Sequence, residues 1–167
     1  MITVITGNGK GKTTSGLGAA MAAASAGQRV YVGQFMKAGD YSEIAMLKSA
    51  FPEITIEQYE GRMVINSTAK ESDREIAQEG LLRALSAVAS GKYDLVVLDE
   101  INVVIFLELI DMEQIMQLID GRRDTNLIFT GRYGAPEIIE LANNAYEVQQ
   151  IKHYFNDGVP ARRGIEM

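Results

Sequence analysis

The sequence predicts an α/β protein built on a mainly parallel sheet flanked by helices. Short apolar runs alternate with longer stretches of helical pattern, the signature of successive βαβ units. Several runs, such as Leu95-Val96-Val97-Leu98, are unbroken rather than alternating. Strands covered on both faces read that way.

In chain order the expected elements are strand Ile2–Ile5, helix Lys12–Ala26, strand Val30–Phe35, helix Glu43–Ala50 and strand Ile54–Gln58. Helix Ser72–Ser90, strand Leu95–Leu98, helix Met112–Ile119, strand Leu127–Phe129, helix Pro136–Ala142 and strand Ala145–Val148 follow. Gly27 and Gly91 stand where helices end, because glycine takes the left-handed conformation of a C-terminal cap without a Cβ penalty. The first helix is crowded with Ala and Gly, small side chains that allow close packing on the sheet. No repeat or linker divides the chain, so residues 1–167 read as one domain.

Bulk properties exclude several functions. A chain of 167 residues, 47% hydrophobic and 23% charged, can bury a substantial core. The net charge of −6 argues against a nucleic-acid face, which needs clustered Lys and Arg. There is no cysteine and one histidine, His153, which removes disulfides, thiolate catalysis and multi-His metal sites. Met1–Thr6 is too short for a signal peptide, and Leu17–Ala26 is far short of the ~20 apolar residues of a membrane span. The expectation is a soluble, cytoplasmic protein with no membrane or nucleic-acid partner.

The first strand runs into Thr6-Gly7-Asn8-Gly9-Lys10-Gly11-Lys12-Thr13-Thr14 and then a helix. Strand, glycine-rich turn and helix are the context of a phosphate-binding P-loop. The glycines let backbone N–H groups of Gly7–Thr14 converge on phosphate oxygens, and the helix N-terminus adds partial positive charge. Lys12 supplies a mobile full charge and is the candidate catalytic residue. The Thr13 hydroxyl is a candidate ligand for a divalent cation. Counting back from Gly11-Lys12-Thr13, the pattern G-x-x-x-x-G-K-[ST] places Thr6 where its first glycine belongs. The glycine falls one position late, at Gly7. With this loop, the fold expected is that of P-loop NTPases, RecA-like.

Strand Leu95–Leu98 ends in Asp99-Glu100. In such folds this strand is expected beside the first one, with its acid reaching the metal or a metal-bound water. A strand-end acid can also cap the following helix. Which of Asp99 and Glu100 lies closer to the metal is left open. Lys37 and Arg132, each just past a strand end, are candidate phosphate contacts or surface ion-pair partners. Tyr41 and Tyr59 are candidates to contact a flat ring, or are packing residues.

The C-terminal third carries Phe129-Thr130-Gly131-Arg132, Pro136-Glu137-Ile138-Ile139-Glu140-Leu141-Ala142, Ile151-Lys152-His153-Tyr154-Phe155, Asp157-Gly158-Val159 and Gly164-Ile165-Glu166. Together with Thr6–Thr14, Gln34-Phe35-Met36-Lys37 and Val97-Leu98-Asp99-Glu100-Ile101-Asn102, this series resembles the ATP:corrinoid adenosyltransferases of the CobA/BtuR/CobO type. The resemblance runs through nearly the whole chain in the family's order. It implies that reduced corrinoid, as Co(I), attacks the 5′ carbon of ATP, forming adenosylcobalamin and releasing triphosphate. It also implies ATP held in the reverse direction relative to other P-loop proteins, with the late glycine as part of that loop.

Further implications are cob(I)alamin or another corrinoid as substrate and a divalent cation, Mg or Mn, on Thr13 with Glu100 or Asp99. A homodimer and an electron donor for cobalt also follow. The family commonly carries a segment ahead of the first strand, whereas Met1 here is almost the first strand residue. It also carries an aromatic Gly-Phe-x-Trp element, where this chain reads Glu60-Gly61-Arg62-Met63-Val64 and has no tryptophan. The alternatives are an ATP-hydrolysing enzyme or kinase of related fold, and a non-catalytic nucleotide- and corrinoid-binding module.

Overall fold

The computed structural model describes residues 1–37, 42–60, 70–154 and 158. Its elements are β1 (Ile2–Thr6), α1 (Lys12–Ser25), β2 (Val30–Phe35), α2 (Ser42–Ala50), β3 (Thr55–Tyr59) and α3 (Glu71–Ala89). They continue with β4 (Leu95–Asp99), α4 (Ile101–Phe106), α5 (Met112–Asp120), β5 (Asn126–Thr130), α6 (Pro136–Leu141) and β6 (Asn144–Glu147). All expected elements are present within a residue or two. Gly27 and Gly91 follow α1 and α3 at φ 80° and 62°, as their cap positions require.

The strands form one six-stranded sheet in the order β3-β2-β4-β5-β1-β6, with every pairing parallel. The expectation that β4 lies beside β1 is therefore corrected, because β5 stands between them. The reason lies in α1, which packs over β4 and β5 as it carries the chain from β1 to β2. A Cβ at Gly16 would come within 3.0 Å of Thr130 Cγ2 and 3.3 Å of Val97 Cγ1. The crossover thus strides over two strand positions, which β4 and β5 later fill.

Burial on both faces explains the unbroken apolar runs. Along β4, Val96 and Leu98 join the core that includes α3, α4 and α5, while Leu95 and Val97 join the core under α1 and α2. In β5, Leu127 and Phe129 face one core and Ile128 the other. The apolar stretch after Glu100, which had no assigned element, folds as α4, with Ile101 through Ile105 all buried. No helix among the described residues is long and apolar enough to cross a membrane.

Because every strand runs the same way, their C-terminal ends share one edge, where ligands of open α/β sheets bind. The chain turns sharply there. Gly7, Met36, Glu100 and Gly131, each just after a strand, have φ of 101°, 55°, 62° and 125°. Met36 and Glu100 hold this left-handed backbone without being glycine, a strain of the kind found at functional sites.

Gly80 in α3 tests the packing on the far face. A Cβ there would meet Phe35 Cε1 at 2.6 Å and Tyr59 Cδ2 at 2.7 Å, and these rings pack against each other with centroids 5.1 Å apart. Helix propensity alone makes Gly80→Ala stabilising by about 1 kcal/mol. The rings cannot retreat from a buried site, so the substitution should instead destabilise by about 1–3 kcal/mol in denaturant unfolding. A stabilised variant would show that this face is loosely packed.

Candidate active site

The loop after β1 is fixed by the strand at its side. Gly9 N–H donates to Val148 O at 2.7 Å, and Val148 N–H donates to Thr6 O at 2.8 Å. A Cβ at Gly7 would lie 2.5 Å from Val148 O, and one at Gly9 would lie 2.8 Å from it. Both glycines are therefore required by the close approach of the backbone leaving β6. Gly11, at φ 115°, opens α1. Thr6, the residue in place of the usual first glycine, has work of its own. Its Oγ1 accepts the Gly134 N–H at 2.9 Å and so clasps the loop after β5 to the end of β1.

Lys12 lies in the first turn of α1 and is 7% exposed. Its Nζ donates to Gly9 O at 2.7 Å, which folds the side chain back across the loop. Burial pushes the ammonium below the ordinary lysine range, Glu100 and Asp99 pull it upward, and Arg132 and Lys37 add to the lowering. These five groups share one electrostatic neighbourhood. Three cations against two acids leave it a net positive charge, suited to a polyanion.

Asp99 ends β4 and is 1% exposed. Its Oδ1 accepts from Thr130 Oγ1 in β5, and its Oδ2 accepts from Gln34 Nε2 in β2 at 2.9 Å. Oδ2 also accepts from Lys37 Nζ at 2.7 Å, and the same ammonium donates to Thr13 Oγ1 at 2.7 Å. Lys37 thus bridges β4 and α1. The register places Gln34 directly opposite Asp99, and Ile5 opposite Thr130.

Glu100 stands at the N-terminal end of α4 and makes no side-chain cap, which removes the capping alternative. Burial raises its carboxyl above the usual value, repulsion from Asp99 adds to the rise, and Lys37, Lys12 and Arg132 oppose it. The Thr130 hydroxyl accepts the Glu100 N–H at 3.2 Å. Of the two acids, Asp99 is the one tied through Lys37 to Thr13.

The structure brings together Lys12, Thr13, Lys37, Asp99, Glu100 and Arg132, with Gly7, Gly9 and Gly11 shaping the loop. Asn8, Lys10, Thr14 and Arg132 are exposed along it. Tyr59 is not available to a flat ring. It is 8% exposed and donates to Glu57 Oε2 at 2.6 Å, with Tyr31 O–H 2.6 Å away. His153 packs its ring on Tyr154, 4.5 Å between centroids. Tyr41 and Arg62–Val64 lie outside the described residues. Gln34 and Thr130 stand in the segments that carry the family resemblance but have no role assigned from the sequence. Their position, polar at or next to the end of a buried strand, is the signal for one.

Two features bear on a divalent cation. Thr13 Oγ1 and Asp99 Oδ2 are oxygen donors gathered on one positive group, which suits a hard cation. Among the described residues, no group of three or more His, Cys, Asp or Glu side chains forms a cage.

Comparison with known proteins finds relatives along the whole chain. The chain matches the family described as ATP:corrinoid adenosyltransferase BtuR/CobO/CobP over residues 1–167. It is 39% identical over 179 residues to an uncharacterized protein of Nostoc sp., covering 99% of this chain and 47% of that protein, so it spans about half of the latter's length. It is 32% identical over 169 residues to the corrinoid adenosyltransferase of Escherichia coli, covering 99% and 85%. With the corrinoid adenosyltransferase CobA of Salmonella typhimurium the figures are 31% over 173 residues, 99% and 85%.

Two outcomes follow from this geometry. Lys12→Ala should weaken inorganic triphosphate in calorimetry by about 10- to 100-fold, the loss expected for a charge-assisted contact. Glu100→Gln should raise Tm near neutral pH in protein free of nucleotide and metal. The folded state holds the Glu100 proton more tightly than the unfolded chain, whose carboxyl titrates near 4.5. The stability from this group is therefore full below that value and is lost as pH rises through the raised one. The gain from Gln should accordingly fade on acidification, and a gain independent of pH would contradict the assignment.

Proposed function

We propose that this chain, which belongs to the ATP:corrinoid adenosyltransferase family, transfers the 5′-deoxyadenosyl group of ATP to a Co(I) corrinoid and releases triphosphate. The observation that carries the reading is the match of residues 1–167 to that family, on a strand-end cluster whose net positive charge suits a polyanion. Cobalt supplies its electron pair to the 5′ carbon, the cobalt–carbon bond forms, and the carbon–oxygen bond breaks. The pair from that bond leaves on triphosphate. No proton moves, so no general base is needed.

The chain's part is to bind and orient. Lys12, the N–H groups of Gly7–Thr14, Arg132 and Lys37 are suited to hold triphosphate, whose charge grows concentrated as the bond breaks. Thr13 with Asp99 or Glu100 would hold a divalent cation, Mg or Mn, which when bound adds Lewis-acid charge at the leaving group. With triphosphate anchored in the loop, the ribose carbon must face outward for cobalt to reach it, and this alignment is a matter of positioning. We read residues 1–167 as one nucleotide-binding domain acting in the cytoplasm as a homodimer. A separate electron donor keeps cobalt reduced.

The test is incubation with ATP and chemically reduced cob(I)alamin. The expected result is the absorption spectrum of a cobalt–carbon bond, with one intact triphosphate released per bond formed. Formation of ADP or inorganic phosphate in its place would favour a P-loop ATPase or kinase, with Glu100 orienting water. Binding of both substrates with neither product would favour a non-catalytic module.

A further inference from the structure

We propose that the Lys37 ammonium and a divalent cation compete for the same two oxygens, Thr13 Oγ1 and Asp99 Oδ2, and that each excludes the other. Lys37 Nζ lies 2.7 Å from both. Asp99 offers no second open face, because its carboxylate is 1% exposed and also accepts from Thr130 and Gln34. The Lys37 side chain is itself only 16% exposed. The preceding residue, Met36, holds φ at 55° and turns the chain out of β2 at the point where Lys37 enters the cluster.

A metal ion on these oxygens would approach them to about 2.1 Å, well inside the 2.7 Å of the ammonium contacts. An ammonium and an ion held on the same two oxygens would be close neighbours, and like charges repel strongly in a buried site. The ammonium must therefore leave when the ion enters. A triphosphate in the adjacent loop gives the displaced lysine a new anionic partner and gives the metal further oxygen ligands. Metal and triphosphate uptake are then coupled through one side chain, and the coupling is reciprocal. The inference rests on reading the loop as a triphosphate and cation site. It does not depend on the corrinoid, so cobalt–carbon bond formation and the competition can fail separately.

The experiment measures free Mn²⁺ by electron paramagnetic resonance in nucleotide-free protein, with and without inorganic triphosphate. Wild type should bind Mn²⁺ alone weakly and gain strongly with triphosphate. Lys37→Met should tighten Mn²⁺ alone by about tenfold or more, since no charge-assisted contact has to be broken first. Triphosphate should then add less to that affinity than it does in wild type. Adding Thr13→Ala in the Lys37→Met background should return Mn²⁺ binding to the wild-type level.

Unchanged or weaker binding in Lys37→Met overturns the proposal. So does tighter binding that survives Thr13→Ala, because the ion then sits elsewhere. Lys37→Gln, which keeps a donor for Asp99, replaces Lys37→Met in the same series should the latter fail to fold. In wild type, amine modification of Lys37, followed by mass spectrometry, should accelerate under saturating Mg²⁺. An unaltered rate would overturn the proposal independently of any variant.

Discussion

A carboxylate taken almost wholly out of water must be matched by donors, and the site depends on how Asp99 meets that demand. Thr130 from β5, Gln34 from β2 and Lys37 just beyond β2 all give it hydrogen bonds. Lys37 carries the link on to Thr13 in α1. Four elements are thereby held at the C-terminal edge of the sheet by one side chain of β4. Removing a single donor would leave buried charge partly unmatched, which costs more than the bond itself is worth. The constraint also accounts for β5 lying beside β4. Only a neighbouring strand can present Thr130 both to Asp99 and to the Glu100 N–H.

Much of this was legible in the sequence, for local reasons. Gly7 and Gly11 advertise left-handed backbone, and the apolar run before Asp99 advertises a strand covered on both faces. The remainder depends on tertiary contacts that leave no local trace. Strand order is set by how far α1 reaches across the sheet, so the separation of β1 from β4 by β5 could not be read from either strand. The run after Glu100 is rich in β-branched residues and lacks a polar face. It becomes helical because Glu100 turns the backbone at φ 62° and both sides of α4 are buried. Thr6 looked like a departure from the loop pattern, yet its hydroxyl clasps Gly134. Tyr59 is withdrawn from any ligand by its bonds to Glu57, its neighbour on β3, and to Tyr31, 28 residues away on β2.

The charge gathered at the site favours a class of leaving group. Lys12, Lys37 and Arg132 outweigh Asp99 and Glu100 in charge and surround a loop of N–H donors. Such a site stabilises an anion more as its charge becomes localised, whether the bond that breaks is at phosphorus or at carbon. A hydrolase needs water aimed in line with phosphorus. An alkyl transfer to cobalt needs the triphosphate held as a leaving group and the ribose carbon left accessible. The adenosyl transfer proposed for this chain is of the second kind, and the positive charge gathered at the strand ends suits its leaving group.

The position of the broken bond distinguishes these chemistries most directly. ATP labelled with oxygen-18 at the oxygen joining the 5′ carbon to phosphorus would be turned over with cob(I)alamin, and the products weighed by mass spectrometry. Cleavage between carbon and oxygen predicts that all of the label leaves in intact triphosphate and none remains on the nucleoside. Label retained on ADP, AMP or adenosine would mean that the bond breaks at phosphorus, and would contradict adenosyl transfer as the reaction of this site.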